Sequence, residues 1–108
     1  MLIGGEWREG EENFTVVSPF TNEIIAEVAA ASANEAREAI GAAGNAAEKM
    51  RRLSRFETAR GLQKIADGIE ARKREFAETI AKESAKPIIY ARGEVERAVA
   101  TFHHAAVE

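Results

Sequence analysis

The apolar positions of this chain fall into two regimes. Over residues 1–28 they alternate, the period of a strand. Leu2 and Ile3 are separated from Trp7 by Gly4-Gly5, a two-residue hairpin signal, since the primed turns that match strand twist need positive φ. Further on, Phe14 and Val16 share one face and Thr15 and Val17 the other. Pro19 suits position i+1 of a turn and Asn22 its far side. Ile24, Ala26 and Val28 then alternate again. The pattern predicts one small antiparallel sheet of three or four short strands.

From residue 32 the period changes to that of a helix. Ser32 and Glu35 form an S-x-x-E capping box, followed by Ala36, Ala39, Ile40, Ala43, Ala47, Met50 and Leu53 on one helical face. Ser54 and Glu57 form a second box ahead of Phe56, Ala59, Leu62, Ile65, Ala66 and Ile69. A third run has Phe76, Ala77, Ile80 and Ala81; residues 70–75 hold no Gly or Pro, so pattern favours its continuing the second helix. Pro87 suits the first turn of a new helix carrying Ile88, Ala91, Val95, Ala98, Val99, Phe102 and Ala105. Five glycines inside helical segments (Gly41, Gly44, Gly61, Gly68, Gly93) suggest close helix packing, or else kinks or helix ends. The last run reaches Glu108 in phase, with no Gly, Asn or Pro stop, so a chain cut inside a helix is expected there. The fold class is α+β: a small N-terminal antiparallel sheet over 1–28, then three or four amphipathic helices over 32–108.

Length and charge narrow the classes. A chain of 108 residues makes one domain with a modest core. The formal net charge of −3 gives no pull toward nucleic acid or anionic membranes, and neither is expected as a partner. There is no cysteine, which removes disulfides, thiolate-bound metals and a thiol nucleophile from these residues and fits a cytoplasmic protein. No basic start with a long apolar run marks a signal peptide, and no apolar run could span a bilayer.

Candidate chemistry is sparse. His103 and His104 are adjacent, about 100° apart on a helix, whereas chelation from one face needs i and i+4; one is expected at the core edge and one in solvent. The glycines near the N-terminus lack the G-x-G-x-x-G order of a phosphate cradle. Residues 71–74 and 50–52 are basic but closely flanked by acids. Glu94 and Glu96 face different ways, and no carboxylate pair or nucleophile elbow is visible. On residues alone this is a non-catalytic α+β segment.

The strings IGGEW, FTVVSPFTNEIIAEV, SANEAREAI, RFETARGLQKIADGIEARKREFAETIAKESAKP and ARGEVERAVATFHHAA, in this order and spacing, closely resemble the N-terminal region of the aldehyde dehydrogenase superfamily. The family commonly has Asn-Pro where Ser18-Pro19 stands, and E-(S/T)-G-K-P where Glu83 to Pro87 stand. Alanine at position 85 in place of glycine suggests a less sharp helix end. The stretch Ala91 to Phe102 looks most like branches acting on small hydroxyaldehydes, such as lactaldehyde or non-phosphorylating glyceraldehyde-3-phosphate dehydrogenases.

The resemblance implies a longer parent enzyme that oxidises an aldehyde to a carboxylic acid, or to acyl-CoA, with NAD or NADP. A cysteine thiolate, a glutamate-activated water and oxyanion donors would all lie beyond this region. It implies a structural role here, wrapping the dinucleotide-binding domain and shaping the outer subunit surface of a homo-oligomer. Some members hold a monovalent cation between backbone oxygens near the Val16–Val17 strand and an acid early in the last helix; Glu94 lies near that position, though the usual residue differs. No catalytic, cofactor-binding or metal residue is assigned, and no cofactor is expected to bind these residues by themselves. The alternative is a free-standing helical module whose amphipathic faces dock a partner helix.

Overall fold

The computed structural model describes residues 1–108. Four strands precede four helices: β1 (Leu2–Ile3), β2 (Glu6–Trp7), β3 (Glu12–Val17), β4 (Ile24–Ala30), α1 (Ala33–Arg51), α2 (Arg55–Ala71), α3 (Lys73–Ser84) and α4 (Ile88–Val107). The α+β class follows directly. No helix is long and apolar enough to cross a membrane.

The strands differ from expectation in one respect. They make two separate two-stranded antiparallel sheets, β1-β2 and β3-β4, rather than one. Alternation reports which side chains share a face, but it does not report which hairpins pair with each other. Each hairpin closes on its own local turn. Gly4 (φ 62°) and Gly5 (φ 89°) supply the two positive φ values of the first, bringing Leu2 opposite Trp7. In the second, Glu12 to Val16 pair with Ala30 to Ala26, and the register shifts between Val16 and Val17.

The chain divides into two compact units, residues 1–17 with 23–52, and residues 18–22 with 53–108. In the first, β1 packs on α1 and Ile3 is buried. Here Arg8 donates to Glu38 at 2.7 Å. Gly10 is a position of close approach: a Cβ there would meet Glu12 O at 2.8 Å and Ala30 O at 3.0 Å. Helix α1 itself buries no residue.

The second unit is built around α4. Both α2 and α3 pack on it, and its inward residues Ala91, Val95 and Val99 are buried with Ala77 of α3 and Ala66 of α2. Ile69, Phe76, Ile80 and Ala81 surround this centre, half-buried. The core is narrow and made of small side chains; no large side chain is fully buried.

The expected continuation of the second helix is not found. It stops at Ala71, and α3 begins at Lys73, with Arg72 at φ −114°, ψ 18° between them. Length supplies a reason. One helix over residues 55–84 would run about 45 Å, against about 30 Å for the twenty residues of α4. A break lets both pieces lie against the same partner. No Gly or Pro is needed, because local pairs hold the corner. Arg72 donates to Glu75 (2.8 and 2.5 Å) and lies over the Phe76 ring at 5.1 Å, while Lys73 reaches back to Glu70 at 2.6 Å.

The helical glycines do not follow the close-packing expectation. A Cβ added at Gly41, Gly44, Gly61, Gly68 or Gly93 would meet nothing within 4 Å, and each lies within an uninterrupted helix rather than at an end.

Candidate functional site

Four polar arrangements stand out, and each is built by local sequence. The first pair are the two capping boxes. Glu35 N donates to Ser32 Oγ at 3.3 Å, and Ser32 N donates to Glu35 Oε2 at 2.8 Å. Ser54 and Glu57 repeat the exchange at 3.2 and 2.8 Å. The Ser32 amide and then its hydroxyl hold the Glu35 carboxyl below its ordinary value, and Ser54 does the same for Glu57. These groups satisfy orphan helix-end amides, and their carboxylates are therefore already engaged.

The turn Ser18–Asn22 is the third. Ser18 Oγ accepts from the amides of Phe20 (3.3 Å) and Thr21 (3.2 Å), and Asn22 N donates to Ser18 O at 2.9 Å. Asn22 takes φ 58°, a left-handed conformation that asparagine tolerates. Serine at position 18 thus provides a side-chain oxygen that organises the turn.

The fourth is the corner between α3 and α4. Ala85 takes φ 52°, ψ 29°, so the helix end is sharp after all, despite the missing glycine. Lys86 Nζ reaches Glu94 Oε1 at 2.6 Å across the corner, with both side chains about one-third exposed. Glu94 therefore has an ammonium as its partner. Glu96 lies elsewhere, on the rim of a shallow cleft of about 230 Å³ between α3 and α4, beside Lys73, Arg74, Glu78 and Arg92 and above Ala77, Ile88 and Val95.

The histidines separate as their adjacency requires. His103 is half-buried, its Nδ1 3.2 Å from Gln63 Oε1, while the Gln63 amide donates to Asp67 at 2.8 Å. That Gln63 oxygen can only accept, so in this contact His103 Nδ1 is the donor. His104 is exposed, 3.1 Å from Glu108. No three His, Cys, Asp or Glu side chains come together in a way that could hold a metal.

The geometry thus organises helix ends and turns. The surface carries a different kind of signal. Trp7 (81% exposed), Phe20 (83%), Ile40 (72%) and Phe56 (69%) present large apolar side chains to solvent. Ile40 and Met50, which share the apolar face that periodicity assigns to α1, are exposed in the chain by itself.

Comparison with known proteins identifies where such a segment belongs. Residues 7–108 match the model of the aldehyde dehydrogenase family. The chain is 39% identical to lactaldehyde dehydrogenase of Methanocaldococcus jannaschii over 106 residues, covering 98% of this chain and 23% of that protein. It is 34% identical to 3-sulfolactaldehyde dehydrogenase of Priestia aryabhattai, covering all of this chain and 22% of the relative. Among solved structures, an NAD-dependent aldehyde dehydrogenase from Sinorhizobium meliloti superposes with a TM-score of 0.93 at 34% identity, over 98% of this chain and 22% of that one. The glyceraldehyde-3-phosphate dehydrogenase GapN from M. jannaschii, complexed with NADP, gives 0.85 at 38% identity, over 90% and 21%. The chain spans less than a quarter of the length of these relatives. With the family model matched over residues 7–108, the chain belongs to the aldehyde dehydrogenase family.

Proposed function

We propose that these residues form the N-terminal segment of an NAD- or NADP-dependent aldehyde dehydrogenase that oxidises a small hydroxyaldehyde, lactaldehyde or a near relative, to its carboxylate. The observation that carries this reading is the family match over residues 7–108, joined to relatives named for lactaldehyde and 3-sulfolactaldehyde. None of the 108 residues is a cysteine, so the thiolate that would take up the aldehyde carbon belongs to polypeptide outside them. On this reading the dinucleotide is held by residues outside these 108, which carry no G-x-G-x-x-G loop between a strand and a helix.

The contribution of this segment is structural. Its small-residue core fixes α2, α3 and α4 as a platform, and the capping boxes set where α1 and α2 begin. Exposed apolar side chains on α1, α2 and the hairpins are the surfaces on which the cofactor-binding and catalytic parts of a homo-oligomeric enzyme would rest.

The test is to assay the complete reading frame beside the 108-residue chain, following reduced nicotinamide with lactaldehyde and with glyceraldehyde 3-phosphate. The complete protein is expected to turn over one or both, and the segment neither. A complete protein inert toward every aldehyde with both dinucleotides would overturn the proposal.

A further inference from the structure

No further inference is drawn: the strongest candidate, the shallow cleft between α3 and α4 floored by Ala77, Ile88 and Val95, has Lys73 and Arg74 on its rim already paired with Glu70 and Glu78, and nothing in the structure shows what covers it.

Discussion

Ala85 holds a left-handed conformation at φ 52° with a β-carbon attached. That conformation crowds Cβ against the following carbonyl, a cost of roughly 1–2 kcal/mol that glycine avoids. Glycine adds back entropy to the unfolded chain, so the net gain from Ala85→Gly is expected to be about 0.5–1 kcal/mol. Urea denaturation checks this as a higher midpoint at unchanged slope. A lower midpoint would mean that the corner is held by something other than Ala85's backbone. The neighbouring Lys86–Glu94 pair ties the linker after Ala85 to the first turns of α4. At this scale the sequence was legible in part. The turn at Asn22 was legible because asparagine favours turns, whereas the left-handed Ala85 was not, since nothing in an alanine side chain prefers that region. Its conformation comes from the elements on either side.

The capping boxes argue at the level of the helix. Ser32→Ala removes an acceptor from the first turn of α1 and is expected to cost about 1 kcal/mol of stability. The boxes also tie helicity to pH. Glu35 and Glu57 titrate below 4.5 in the folded chain because the serine amides hold their ionised forms. Their stabilising contribution is complete above about pH 4.5 and is lost as pH falls through the lowered folded values. Far-UV circular dichroism should show helicity falling in that acid range. The double variant Glu35→Gln, Glu57→Gln should lose part of that acid-dependent step, because a neutral amide can still accept from the cap. Identical acid titrations of the two proteins would show that the boxes do not carry it.

Helix starts were legible because each box is a local device lying within four residues. The α2–α3 break was not, because Arg72 is no breaker by composition; the break answers to the length of α4, a partner more than fifteen residues further along the chain. The single sheet expected of residues 1–28 failed in a similar way, since pairing between hairpins is a nonlocal choice. The glycines illustrate the same limit. With open space around each, Gly41→Ala and Gly44→Ala should each stabilise this chain by roughly 0.5–1 kcal/mol, read as a raised urea midpoint. In the complete enzyme the proposed covering polypeptide would make the same changes less favourable.

At the scale of the whole molecule, the core is small and the exposed apolar area large. Residues Ala66, Ala77, Ala91, Val95 and Val99 fill the interior of the helical unit, and Ile3 is buried in the other. Such tight small-residue packing leaves no room: Ala91→Leu is expected to cost about 1–3 kcal/mol by overpacking, again visible in the urea midpoint. The outward side chains Trp7, Phe20, Ile40 and Phe56 have no such partners and carry the expectation of a longer parent. The family was readable from an ordered series of short strings, none of which is specific by itself. A catalytic site was not readable, because the strings that identify the family carry no motif that points to a reacting residue.

The central claim is that these surfaces were shaped against further polypeptide of the same enzyme. Intact-mass measurement of the natural product, captured from its source with an antibody raised to the Arg92–Glu108 segment, tests it most directly. A family member of which this chain is 22–23% would weigh between four and five times 11.8 kDa. A product of that size is the predicted result. A natural product of 11.8 kDa, monomeric in solution, would contradict it.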